Sequence, residues 1–114
     1  MLIAIVGPCG AGKTVLADGL KNRDFHARQI AQEHSFVQNM WQVLTQPDIL
    51  IYLDASFETC TTRKRFNWQP KEYERQLQRL AHSREHCSIY IQTDDLTIEQ
   101  VLVEALVQIQ GISS

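Results

Sequence analysis

Gly7-Pro8-Cys9-Gly10-Ala11-Gly12-Lys13-Thr14, set directly after the apolar run Leu2-Ile3-Ala4-Ile5-Val6, decides how the rest of the chain is read. The stretch fits G-x-x-x-x-G-K-[ST], the spacing of a phosphate-binding loop. Each residue type in it has a physical task. Gly7, Gly10 and Gly12 permit positive φ and close approach to an anion. Successive turn N–H groups then form an anion-binding nest. The helix expected to start near Gly12 adds the positive end of its dipole. The Lys13 ammonium is spaced to meet the β- and γ-phosphates, and the Thr14 hydroxyl to ligate Mg²⁺. Gly7, Pro8, Cys9, Gly10, Ala11, Gly12, Lys13, Thr14 and Val15 are thus the expected nucleotide-binding residues, with ATP and Mg²⁺ as ligands. The competing reading is a glycine-rich strand-to-helix turn that binds nothing.

A chain of 114 residues has room for a single domain, here spanning residues 1–114. Hydrophobic residues make up 44% and charged residues 21%, an ordinary globular balance. The net charge of −2 argues against a broad electrostatic grip on nucleic acid or an anionic membrane. Cys9, Cys60 and Cys87 are odd in number and lack metal-site spacing, which predicts reduced thiols in a cytoplasm. The N-terminus has no basic segment and the run Leu2–Val6 is short, so neither a signal peptide nor a membrane anchor is expected.

Working outward, a first strand over Leu2–Val6 leads through the loop to a helix over about Lys13–Lys21. Phe25–Ile30 alternates loosely and reads as a short second strand. From Ser35, the residues Phe36, Val37, Met40, Trp41 and Leu44 recur at helical spacing and predict an amphipathic helix ended by Pro47. Asp48–Asp54 has an unbroken apolar centre, as in a strand covered on both faces. Ser56 is placed to cap a helix from Phe57 to about Phe66. A further helix is expected from Pro70 to His86, with Tyr73, Leu77, Leu80 and Ala81 inward. Ser88–Gln92 is the last predicted strand. Thr97-Ile98-Glu99-Gln100 is a capping box opening a final helix that buries Val101, Leu102, Ala105, Leu106 and Ile109 and stops before Gly111. Strands alternating with helices predict an α/β fold with a parallel sheet between helical layers.

With the loop, Pro47-Asp48-Ile49-Leu50-Ile51-Tyr52-Leu53-Asp54 and Ile89-Tyr90-Ile91-Gln92-Thr93-Asp94 in place, the chain resembles a small P-loop kinase. The group it resembles holds the nucleoside monophosphate kinases and shikimate kinases. The resemblance implies a P-loop NTPase-like three-layer sandwich and phosphoryl transfer from a nucleoside triphosphate to a small-molecule acceptor. Those kinases carry one more strand than fits between Ile30 and Pro47. A reduced sheet of four strands, order 2-1-3-4, is therefore expected, and so few covering helices make a homodimer plausible.

Further residues carry alternatives. Asp54 ends an apolar strand and can hold Mg²⁺, or act structurally, or cap a turn with Ser56 following. Glu33 lies past the second strand, where it can serve as a base or metal-side acid, or favour a helix start. His34 beside it can bind phosphate when protonated but reads more simply as a capping-region residue. Arg63, Lys64 and Arg65 form the tight basic cluster, and the resemblance places them where lid arginines stabilise a transferring phosphoryl group. Arg75 and Arg79 read as a solvated face, with Glu72 pairing Arg75. Trp68 can stack on a base or anchor a loop. His82, His86 and Cys87 lack the third-ligand spacing of a metal site. Lys13, Arg63 and Glu33 are the candidate catalytic residues, and Thr14 and Asp54 the candidate metal ligands. The readings that compete are a phosphotransferase and a nucleotide-binding sensor module with little turnover.

Overall fold

Ile3 and Ile5 face one side of a strand while Ala4 and Val6 face the other, and all four are fully buried. Such two-sided burial needs helices on both faces. The computed structural model describes residues 1–64 and 67–113 and shows that arrangement. Strands β1 (Leu2–Val6), β2 (His26–Gln29), β3 (Ile49–Asp54) and β4 (Ile89–Gln92) form one sheet, in the order β2-β1-β3-β4. Every pairing is parallel, with Ile3 opposite Ala27 and Ile49, and Ile51 opposite Ile89. The expected four-strand parallel sheet and its order are what the chain adopts.

The helices are α1 (Lys13–Lys21), α2 (Met40–Thr45), α3 (Phe57–Lys64), α4 (Pro70–His86) and α5 (Ile98–Ser113). Leu16 and Leu20 of α1, Cys60 of α3 and Val101, Ala105 and Ile109 of α5 pack with Ile3, Ile5, Ile49, Ile51 and Leu53 in one core. On the opposite side, Trp41 of α2 and Leu80 of α4 pack with Ala4, Val6, Leu50 and Tyr52. Among the described residues, no helix is long and apolar enough to cross a membrane.

The capping box forms as read. Thr97 N–H donates to Gln100 Oε1 at 2.8 Å, and Gln100 N–H donates to Thr97 Oγ1 at 3.1 Å. Ser56 Oγ likewise accepts the Thr59 N–H, capping α3. Other expectations need correction. The helix expected from Ser35 is reduced to α2; Phe36, Val37 and Leu44 are exposed, and Trp41 alone of that stripe is fully buried. The cause is Gln32, wholly buried, whose amide donates to Val37 O and accepts the Trp41 N–H. Those bonds, with Ser35 Oγ accepting the Val37 N–H, draw residues 32–39 into a 3₁₀ turn and loop instead of a helix. The inner face of α4 is Gln76, Leu80 and Ser83, while Tyr73 and Leu77 are half-buried and Ala81 is exposed. Gly111 does not end α5, because its backbone stays out of the left-handed conformation that stops a helix. The expected end of α3 near Phe66 lies outside the described residues.

Leu80→Ala is expected to lower stability by about 2–5 kcal/mol, since its side chain fills the α4 core. Leu44→Ala, on the exposed side of α2, is expected to stay within about 0.5 kcal/mol. Urea unfolding of both variants measures the contrast, and equal losses would restore the longer amphipathic helix.

Candidate functional site

The loop after β1 owes its shape to three glycines, two of them pressed on the chain's own backbone. A Cβ on Gly7 would collide with the Leu53 carbonyl oxygen at the end of β3. Gly10 has φ +93°, and its Cβ would lie 2.9 Å from the Cys60 carbonyl oxygen of α3. Gly12, at φ +100°, is the residue from which α1 starts. No side chain caps that start, and no acidic residue stands in the first turn. The first-turn amides of Lys13, Thr14 and Val15 precede the first intrahelical acceptor bond, which runs from Leu16 N–H to Gly12 O.

Cations hold the loop's carbonyls. Lys13 Nζ, in a side chain only 8% exposed, donates to Gly7 O at 2.9 Å and Pro8 O at 3.3 Å. Arg63 donates to Gly10 O, Ala11 O and Thr93 Oγ1 through one terminal nitrogen, and to Thr93 O at 2.7 Å through the other. Gln76 Oε1 accepts the Cys9 N–H at 2.9 Å. The segment Cys9–Val15 lines a cavity of about 780 Å³ together with Glu33, Arg63, Lys64 and an apolar wall of Leu96, Ile98, Val101 and Leu102.

Glu33 sits in the 3₁₀ turn Gln32–His34 and is buried. Its Oε2 accepts Lys13 Nζ at 2.6 Å, and His34 Nε2 stands 4.0 Å away. Its other carboxylate oxygen, Oε1, is buried with no hydrogen-bond partner among the described residues. The backbone oxygen of Glu33 accepts Arg79 at 3.3 Å, and Arg79 lies over the Phe36 ring. Sequence reading puts Glu33 past β2 at the carboxyl edge of the sheet without pairing it with Lys13; the pairing follows because β2 runs beside β1 and delivers its following turn to that edge.

The site therefore gathers Lys13, Glu33, Thr14, Val15 and Arg63 around one cavity. Asp54 is elsewhere. It continues the Tyr52 face of β3, where its carboxylate accepts the Tyr90 hydroxyl and faces Arg84 at 3.8 Å. Burial first, then the charge of Asp54, pushes the Tyr52 hydroxyl above its ordinary pKa. Arg65 lies outside the described residues. Arg75 pairs with Glu72 on the surface. Trp68 packs against Phe57 and Tyr73, and Tyr73 OH donates to Ala55 O, so these rings fasten the segment entering α4. His82 stacks on His86 and accepts the Trp41 indole N–H; no group of three or more metal-ligating side chains forms among the described residues. Asp94 accepts the Ser56 N–H; although burial acts the other way, that bond, Thr59 and Arg63 hold its carboxyl below the usual range.

Gln76 and Thr93 were not singled out from the sequence. Gln76 had a usable signal: it falls between Tyr73 and Leu80 at helical spacing, so a polar group was due on a buried stripe. Thr93 stands in the Ile89–Asp94 stretch quoted for the resemblance, but only the fold brings Arg63 to it. No protein-family model matches the chain, and no curated protein matches its sequence.

Removing one partner of the Lys13–Glu33 pair leaves a buried charge without a counterion, so Lys13→Met is expected to cost about 3–5 kcal/mol of stability. The double change Lys13→Met with Glu33→Leu should cost less than the sum of the single changes, and strict additivity in a denaturation cycle would show that the pair is not coupled. Under Gly10, burial pushes the Cys60 thiol from 9.0 up to about 11. The unfolded chain then ionises first, so stability holds below about pH 9 and falls as pH rises towards 11. Cys60→Ala should flatten that part of the profile, measured by urea unfolding in reducing buffer.

Proposed function

We propose that the protein binds a nucleoside triphosphate with Mg²⁺ at the Gly7–Thr14 loop and transfers its terminal phosphoryl group to a small acceptor, as a reduced P-loop kinase. The observation that carries this reading is the uncapped start of α1 beside a buried Lys13, both opening on one cavity. An uncapped helix start presents free N–H groups and a positive dipole end to an anion. The cavity, about 780 Å³, lies within the range of small-molecule sites, and its apolar wall suits the flat base of a nucleotide better than a bare phosphate ion.

The donor set fits Mg²⁺. Thr14 and Glu33 both line the cavity and offer hard oxygens, and one Glu33 carboxylate oxygen has no hydrogen-bond partner among the described residues. Mg²⁺ is commonly held by one or two protein oxygens, with water and substrate phosphates completing its shell. When bound, the metal neutralises charge on the phosphoryl oxygens. In this reading Glu33 takes the acid's place that the sequence also offered to Asp54. Lys13 turns from the Gly7 and Pro8 carbonyls to the phosphates, the loop amides hold them, and Leu96, Ile98 and Leu102 keep the base out of water. Reduced thiols at Cys9, Cys60 and Cys87 agree with a cytoplasmic setting.

The second reading, a sensor module with little turnover, is favoured by Arg63, whose donors are engaged with the loop carbonyls and Thr93 rather than free to close on phosphate.

Calorimetry with ATP and ADP, in MgCl₂ and in EDTA, is expected to show saturable binding that Lys13→Ala weakens by about tenfold or more. Absence of binding for both nucleotides removes both readings. ADP release stimulated by one member of a panel of nucleosides, nucleotides and polyols selects the kinase; nucleotide binding with no acceptor-stimulated release selects the module.

A further inference from the structure

Lys13 is already paired in this structure, and the partner is an anion. The Glu33 carboxylate holds the ammonium at 2.6 Å inside the chain, where the reading above brings a phosphate. A buried lysine cannot stay charged without compensation, so the acid beside it serves as an internal counterion. The acid itself is held on one side only. Oε2 has Lys13, while Oε1 is buried without a hydrogen-bond partner among the described residues. A carboxylate in that condition gains a hydrogen bond by moving, which a fully bonded one does not.

We infer that Glu33 is a latch that makes polyphosphate binding at this site conditional on a divalent cation. The inference rests on the nucleotide-binding reading and names how that site is regulated. A phosphate arriving alone has to take Lys13 from Glu33 and then remain beside the displaced carboxylate, a like charge in a poorly solvated pocket. With a divalent cation, the displaced carboxylate has a positive neighbour and its vacant Oε1 has a donor in the cation's water. The groups that face Glu33 agree with this switch of partners. Lys13 meets Oε2, His34 stands 4.0 Å from the same oxygen, and Arg79 binds the backbone oxygen, which anchors the turn without occupying the carboxylate. The turn is further fixed by Gln32, whose amide donates to Val37 O and Arg79 O. Side-chain rotation, with the backbone in place, is therefore the motion that opens the latch.

The experiment measures affinity for inorganic tripolyphosphate and for ATP, each in EDTA and in MgCl₂, for the native chain, Glu33→Gln and Glu33→Asp. The native chain is expected to bind about tenfold or more weakly in EDTA than in MgCl₂. Glu33→Gln, which keeps the shape and removes the charge, should bind tripolyphosphate in EDTA about tenfold more tightly than native and lose most of its response to magnesium. Glu33→Asp, with a shorter reach to Lys13, should shift the same way by a smaller factor, and it decides the matter if thermal unfolding shows that Glu33→Gln is not folded. Metal-free affinity that is unchanged or lower in the folded variants, or a magnesium response equal to the native one, overturns the latch. In that case binding that still depends on Lys13 leaves the nucleotide site standing. Failure of the native chain to bind either probe in any buffer, with Lys13→Ala no different, overturns both.

Discussion

The structure depends on one buried ammonium. Lys13 reaches back from the first turn of α1 to the carbonyls of Gly7 and Pro8 and to the Glu33 carboxylate, linking strand β1, its loop, helix α1 and the turn after β2. A charge so enclosed is tolerable only where carbonyl dipoles and an opposite charge surround it. The loop supplies the dipoles, because its glycines let the backbone fold over the lysine. The turn after β2 supplies the charge. Neither would hold without the other, so the loop's conformation is a property of the sheet edge as a whole.

Helix α4 is the second support. Gln76 takes the Cys9 N–H of the loop, Arg79 takes the Glu33 backbone oxygen, and the backbone of Arg79 receives Gln32. One face of one helix thus sets the distance between the loop and the acid-bearing turn. Arg63 plays the matching part from α3, tying Gly10 and Ala11 to Thr93 after β4. These bonds tie α3 and α4 to the cavity, and the Phe57, Trp68 and Tyr73 rings pack on one another beside the starts of the two helices.

Most of the elements were legible in the residues. The apolar centres of Leu2–Val6 and Ile49–Asp54 can only be strands covered on both sides, and the Thr97–Gln100 box opens α5 as its side chains dictate. The segment from Phe36 to Leu44 misled because helical spacing records which residues would share a face if a helix formed. It does not record that a buried amide three-dimensionally close, Gln32, competes for the same backbone groups. Gly111 misled for the converse reason: glycine permits a left-handed stop without requiring one.

For the site, the sequence by itself determined the loop and its glycines, because close approach to the Leu53 and Cys60 backbone restricts which residues can stand at Gly7 and Gly10. It also placed an acid near the end of β2 and another at the end of β3, without choosing between them. Only the tertiary structure decided that Glu33 meets Lys13 while Asp54 turns to Tyr90 and Arg84. The physical reason differs for the two acids. Asp54 lies in β3, where strand alternation puts it on the Tyr52 face, whereas Glu33 lies in the 3₁₀ turn after β2, which pairing between β1 and β2, segments far apart in the chain, brings beside the loop.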